Sequence, residues 1–515
     1  MKAFLMHRDK DFDLGRELPA NEQDLTQDLE LAKLFGAMAH GDKFLFNVAQ
    51  KAVLSSLKDP EEILYRQQVL NDCLEQASIV REMYAIAVAA VDGERKIYRS
   101  FLDYPAGILR RSIEALELFV GLLKKLRNTA DEHAGKFHSE GFAVLFEMLK
   151  SELGDEYFLS VEEHLKQLRF RYGVLTNARL GKGNKGTDYV LRKPKSTKRG
   201  WRQWIPFGDR SAYTLVIADR DVNGMQALSD LRDRGLNLAA NALAQSADHI
   251  LSFFTMLRAE LGFYVSCLNL RQALGEKGEP VCFPEPLPSG RPVLCCRGLY
   301  DVCLSLSLKE RAVGNDVNGD GKPLIMITGA NRGGKSTFLR GLGLAQLMMQ
   351  AGMFVGAEAF RADVFDALFT HYKREEDATM RSGKLDEELS RMSAIADRVG
   401  PNCLLLFNES FSATNEREGS EIASSIVRAL LEEDIKVFFV THSFELAHGF
   451  YRGGEDGALF LRAERQADGT RTFKLVEGEP LPTSFGEDLY RRIFGEVPDM
   501  ETATPPTGGP QDPNT

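Results

Sequence analysis

The chain has 515 residues, 43% of them hydrophobic and 27% charged, enough apolar material for about two to four domains with buried cores and too much for a small stapled scaffold. Lysines and arginines number 64 against 74 acids, a net charge of −10 that excludes a uniformly basic nucleic-acid coat and leaves room for a local basic patch. Seven cysteines without a Cys-x-x-Cys pair, only Cys295 and Cys296 being adjacent, fit a reducing compartment and argue against both a disulfide framework and a zinc site.

The N-terminal MKAFLMHRDKDFDLGRELP turns charged early and lacks a signal-peptide core, and no apolar run approaches the roughly 18 residues that cross a bilayer, so a cytoplasmic protein with no membrane partner is expected. From about 26 to 150 helical periodicity dominates. In DPEEILYRQQVL, Asp59 suits a helix cap, Pro60 the first turn, and Glu61 and Glu62 the positive end of the helix dipole.

The texture changes at 166–202, where twelve residues are lysine or arginine, Asp188 is the only acid, and the local net charge is +11. Alternating apolar residues around Gly183 and Gly186 predict a β-hairpin with a polar tip, and Trp201 and Trp204 close the stretch. Basic charge beside aromatic faces suits nucleic acid, which nominates Arg192, Lys193, Lys195, Lys198, Arg199 and Trp201; a solvated hairpin with core tryptophans explains the same residues equally well.

Leu236, Ala240, Leu243, Ala247, Ile250, Phe254, Leu257 and Leu261 recur at heptad spacing and predict one long helix. Pro284, Pro286, Pro288, Gly290 and Pro292 then mark a boundary. Beyond it, the strands PLIMIT (323–328), CLLLF (403–407) and KVFFVT (436–441) alternate with helices starting near 334 and 416, the pattern of a buried parallel sheet with crossover helices. The Pro/Gly/Thr-rich end from 499 is expected to be disordered.

Gly329-Ala330-Asn331-Arg332-Gly333-Gly334-Lys335-Ser336 fits G-x-x-x-x-G-K-[ST] between a strand and a helix. Such a loop turns backbone N–H groups toward phosphate oxygens, with Lys335 reaching the β- and γ-phosphates and Ser336 able to ligate Mg²⁺. At the end of CLLLF, Asn408 can offer an amide oxygen to the magnesium shell and Glu409 can orient or deprotonate water; His442, after the next strand, is placed to sense a γ-phosphate. Two other strings are decoys. Gly181-x-Gly183-x-x-Gly186 leads into strand-like TDYVLRKP, not a helix, and Asp316-x-Asn318-x-Asp320-Gly321 reaches Ile327 where a calcium loop needs glutamate.

TGANRGGKST (328–337), LLLFNESFSATNEREG (404–419), FFVTHSFEL (438–446), GND (314–316) and FKLVEGEPLPTSFGEDL (473–489) together resemble the MutS family of ATPases, relatives of the ABC-type fold. The resemblance implies an α/β P-loop (ABC-type) ATPase domain at 281–498. Ahead of it would lie an N-terminal segment (1–25), a helical core (26–165), a basic β-rich insertion resembling a reduced clamp (166–227) and a lever helix (228–280), with the tail at 499–515. It also implies ATP and Mg²⁺ as cofactors, ATP hydrolysis (expected to be slow because Asn408 replaces the usual aspartate), a homodimer, and double-stranded or branched DNA as partner in repair or recombination. Gly329, Asn331, Gly333, Gly334, Lys335, Ser336 and Thr337 would bind the nucleotide, Ser336 and Asn408 the metal, and Glu409 and His442 would be catalytic. Ser382 and Gly383 would complete the partner subunit's site.

Two departures stand out: Leu385-Asp386-Glu387 occupies the place of the family's usual Ser-Thr-Phe, and Asn408 that of its usual aspartate. No mismatch-reading domain, Phe-x-Glu wedge or nuclease module is expected. Other readings of the same residues are an ATP-gated binding module with negligible hydrolysis and an ATPase acting on RNA or ribosomes.

Overall fold

The computed structural model describes residues 1–97, 104–170, 173–192, 216–290, 292–374, 383–454, 457–466 and 469–482. Its first half is a helical core of α1 (Glu22–Asp28), α2 (Leu31–Ala39), α3 (Lys43–Leu54), α4 (Pro60–Glu75), α5 (Ala77–Lys96), α6 (Pro105–His133), α7 (Glu140–Glu152) and α8 (Asp155–Leu168). Local chemistry starts these helices. Asp42 caps α3 by accepting from the Phe44 and Leu45 N–H groups, and Asp59 caps α4 by accepting from Glu61 N–H at 3.0 Å with Pro60 as first residue.

The hairpin read around Gly183 is β1 (Thr176–Leu180) and β2 (Gly186–Leu191), antiparallel and docked where Thr176 meets Gly235 of the long helix α9 (Val222–Gly275). The 54 residues of α9 span about 80 Å. Seven of its eight heptad positions are buried, Leu243 half-buried, with α5 and α6 packed along them; Phe119 and Phe254 meet with ring centroids 5.8 Å apart.

Between Ala259 and Leu268 burial extends round the whole helix, because the N-terminal chain and α2–α4 cover the face that α5 and α6 leave. A stretch of α9 is by length and composition apolar enough to cross a bilayer, which corrects the reading from uninterrupted apolar runs; in this fold 72% of that stretch is buried against protein.

The N-terminal residues are part of this core. Leu5, Met6 and Phe12 donate backbone N–H bonds to the Glu260 carboxylate at 2.7, 3.4 and 3.1 Å, and the Tyr264 hydroxyl donates to Leu5 O. Burial outweighs those bonds and pushes the Glu260 carboxyl up from 4.5 to about 7. The folded protein therefore keeps a proton that the unfolded chain releases near 4.5, so this group's stabilisation is complete below that pH and is lost as pH rises to about 7. Urea titrations of wild type and Glu260→Gln across this window should show the difference moving by about 3 kcal/mol in the variant's favour. A constant difference would refute the assignment.

The second half holds β3 (Glu285–Leu287), β4 (Leu294–Leu299), α10 (Val302–Ser307), β5 (Asn315–Asn318), β6 (Leu324–Gly329), α11 (Lys335–Gln350) and β7 (Ala359–Asp363). It continues through β8 (Leu368–Tyr372), α12 (Lys384–Ala396), β9 (Leu404–Asn408), α13 (Glu416–Glu432), β10 (Lys436–Val440), α14 (Phe444–Arg452), β11 (Ala458–Arg465) and β12 (Arg471–Glu477). The main sheet runs β12-β11-β6-β10-β9-β8, parallel except for β12, and a smaller sheet runs β3-β7-β4-β5. Strands β6, β9 and β10 are apolar on both faces because helices cover both sides.

The two halves share one hydrophobic core, pinned by buried and half-buried polar contacts. Arg340 of α11 pairs with Glu30 and Asp301. Gln350 donates to Leu57 O and Phe365 O at 2.9 and 2.8 Å, and Gln67 donates to Pro284 O at 3.0 Å. All seven cysteines are free thiols. The calcium-like string is a turn whose carboxylates are spent elsewhere: Asp316 accepts from Gly298 N–H, and Asp320 accepts from Leu294 N–H and pairs with Arg361.

Candidate phosphate-binding site

Strand β6 delivers its last residue, Gly329, into a loop that returns as the first turn of α11. Gly329 has φ 106°, and a Cβ there would lie 2.8 Å from Ala463 N in β11; Gly334, the residue preceding α11, has φ 92°. Both positions need a residue free to adopt left-handed backbone close to a neighbouring strand. The loop is thereby wedged beneath β11, with the amino end of a 16-residue helix at its rim.

Lys335 folds back over the loop and donates to Gly329 O and Ala330 O at 2.9 and 3.1 Å. Its side chain is buried, which lowers its pKa against the opposing pull of Glu409. One residue on, Ser336 Oγ donates to Asn408 Oδ1 at 2.8 Å, bridging α11 to the end of β9. Thr337 stands half-buried in the same helical turn, and Asn331 is exposed at the loop tip.

Glu409 leaves β9 in a left-handed conformation, φ 54°, held by its N–H bond to Val440 O at 2.9 Å. Its carboxylate is partly exposed, 4.0 Å from Nδ1 of His442, which follows β10. A small cleft lined by Glu409, Ser412, Glu416, Ser420, His442 and Ser443 opens beside the pair. The parallel register of β6, β10 and β9 thus brings Lys335, Ser336, Asn408, Glu409 and His442, spread over more than a hundred residues of sequence, to one edge of the sheet.

Gly383 caps α12 at an exposed position, and Ser382 lies outside the described residues. Of the nucleic-acid candidates, Arg192 is exposed beyond β2, its N–H donating to Leu175 O at 2.8 Å; Lys193, Lys195, Lys198, Arg199 and Trp201 lie outside the described residues, as does the tail from 499.

Residue-by-residue reading missed the cover of the loop. Asn315 of β5 donates to Phe473 O at 3.2 Å and accepts from Leu475 N–H at 2.7 Å, holding β12 so that Phe473, itself at φ 61°, backs onto Gly334. Arg471 of β12 reaches Asn331 O at 3.4 Å and adds a second cation beside Lys335. GND and FKLVEG were visible as family-like strings, but their partnership spans some 160 residues and leaves no local pattern.

A glycine-rich loop feeding a helix from a buried parallel strand, with an amide and a carboxylate at the neighbouring strand end, defines a class: an α/β protein with a βα loop shaped to suit an anion, built here onto a helical core. The family model of the MutS2 N-terminal domain matches residues 58–277 and that of MutS domain V matches residues 325–492. The DNA mismatch repair protein MutS of Thermus aquaticus is 29% identical over 346 residues, 65% of this chain and 40% of that protein. The DNA mismatch repair protein MutS of Chloroflexus aurantiacus is 26% identical over 328 residues, 59% of this chain and 33% of that protein. The chain belongs to the MutS family, and it spans well under half the length of these curated relatives.

Proposed function

We propose that the protein binds and slowly hydrolyses ATP, and that nucleotide-driven closure of a homodimer is coupled to binding of double-stranded or branched DNA in repair or recombination. The observation that carries this reading is the Ser336–Asn408 contact at 2.8 Å with Lys335 folded over the same loop, which sets two uncharged oxygens and a buried ammonium around one space at a helix amino end. That donor set fits a triphosphate with its magnesium: Lys335 and the loop N–H groups would hold phosphate oxygens, and Ser336 and Asn408 would hold the ion, directly or through water. Magnesium, when bound, supplies charge neutralisation at the β- and γ-phosphates. Glu409 orients the attacking water and accepts its proton, and His442 reports the γ-phosphate.

The relatives are named for DNA mismatch repair, which supports DNA as the partner. The lever of α9, packed on the helical core from Gly235 onward and sharing that core with α11, would supply a mechanical path from the loop to the basic hairpin. Asn408 favours a second reading, a nucleotide-gated binding module with negligible turnover, because an amide brings no negative charge to hold the ion.

Phosphate release by the purified protein beside Asn408→Asp, with ATP·Mg²⁺ affinity measured by calorimetry, separates the two. The expected result is measurable turnover that rises several-fold in the aspartate variant; absence of turnover in both proteins would favour the module, and absence of binding heat would remove both readings. Salt-dependent binding to duplex DNA, branched DNA and structured RNA, with charge reversal at Arg192, Lys193, Lys198 and Arg199, tests the partner, for which DNA preference and loss on reversal are expected.

A further inference from the structure

Immediately after Glu409 the chain makes an unusual turn. Glu409 and Phe411 both have positive φ, 54° and 60°, and neither is glycine, so the segment is held in backbone geometry it would not keep alone. What holds it is the buried His371 at the end of β8. Its carbonyl oxygen accepts from Ser410 Oγ at 2.5 Å, its Nδ1 lies 2.7 Å from that Ser410 Oγ, and its ring stacks on Phe411 with centroids 5.1 Å apart and planes 19° from parallel. On its far side Nε2 donates to the backbone carbonyl of Glu388 in α12, at 3.0 Å. A carbonyl can only accept, so in the neutral ring Nδ1 carries no proton, and the single proton of the Ser410 hydroxyl is shared between His371 O and Nδ1.

We infer that His371 and Ser410 are positioning residues for Glu409: together they clamp the two residues that follow it and tie its place in the site to α12, the helix that Gly383 begins. The inference rests on the hydrolytic reading above and adds to it a specific route by which movement of α12 reaches the water-orienting carboxylate. Neither side chain touches the phosphate loop in any described contact, so the pair acts on the rate of the chemical step and not on nucleotide affinity.

The test uses the full chain. Steady-state kcat, ATP·Mg²⁺ Kd by calorimetry and melting temperature are measured for wild type, Ser410→Ala, which removes the middle of the clamp, and His371→Asn, which keeps an acceptor at the δ position for the Ser410 hydroxyl. Ser410→Ala is expected to lower kcat by about tenfold to a hundredfold with Kd within about twofold, since a displacement of an ångström at a catalytic group has effects of this size. His371→Asn loses the Nε2 bond to Glu388 O and the stack on Phe411 and is expected to lower kcat by about tenfold with Kd within about twofold. Wild-type kcat in either Ser410→Ala or His371→Asn, with a hydrolysing wild type, would overturn the inference alone, as would a Kd that rises in step with the fall in kcat. Wild type that binds ATP without turning it over would overturn the hydrolytic reading and this inference with it.

Discussion

Replacing Glu409 by glutamine is expected to lower ATP hydrolysis by about 10²- to 10⁴-fold, the usual contribution of a positioned general base, while leaving ATP affinity within a few-fold of wild type. The split follows from where the atoms sit. Lys335, the loop amides and the Ser336–Asn408 bridge are on α11 and the end of β9 and do not depend on the Glu409 side chain for any of their hydrogen bonds. The glutamine is nearly isosteric and keeps the backbone bond from residue 409 to Val440 O that fixes the turn. What it loses is the ability to take a proton. Phosphate release at saturating ATP and calorimetric affinity check the two halves separately. A variant retaining a tenth or more of wild-type turnover would show that the base lies elsewhere, and His442, 4.0 Å from the carboxylate, would be the next group to test.

The α/β half is legible in the sequence because its signals are local. A strand covered on both faces is a short uninterrupted apolar run, so PLIMIT, CLLLF and KVFFVT mark β6, β9 and β10 to within a residue or two, and the glycine-rich string falls where a βα loop must fall. The lever is legible from heptad spacing, although α9 starts at Val222, ahead of that pattern, because its first turns are largely exposed and carry no buried stripe. What stays hidden is whatever depends on distant partners. Nothing near Glu260 says that residues 5–12 will donate three N–H groups to it, and nothing near His371 says that it will bracket Ser410. Asn315 looks like an ordinary strand residue until β12 arrives beside it. Local periodicity reports burial, and these contacts are set by topology.

Arg66 carries the largest expected effect on stability. It is 1% exposed, and its guanidinium fans out in three directions: Nε donates to Met6 O at 2.7 Å, Nη1 to Ala351 O at 3.3 Å, and Nη2 to His7 Nε2 at 2.9 Å. Arginine can only donate, so His7 Nε2 must be bare, which agrees with burial and Arg66 together pulling His7 down to about 3 and keeping its ring neutral. Burial pulls Arg66 itself to about 10, so it stays charged at neutral pH, and no carboxylate is among its hydrogen-bond partners. Its energy therefore comes from satisfying acceptors that water cannot reach. Arg66→Met fills a similar volume yet strands Met6 O, Ala351 O and His7 Nε2 together, and a loss of about 3–5 kcal/mol is expected in urea unfolding. Arg66→Lys should recover only part of it, because one ammonium at the end of a flexible stem cannot reach all three acceptors at once. A methionine variant within about 1 kcal/mol of wild type would mean that the acceptors find other donors. Ala351 caps the carboxyl end of α11, the helix that begins at the phosphate loop, while Met6 and His7 belong to the N-terminal chain laid across α9. One guanidinium thus joins the loop helix to the N-terminal chain that packs on α9, so the destabilised variant should unfold both halves in a single earlier transition instead of releasing one from the other.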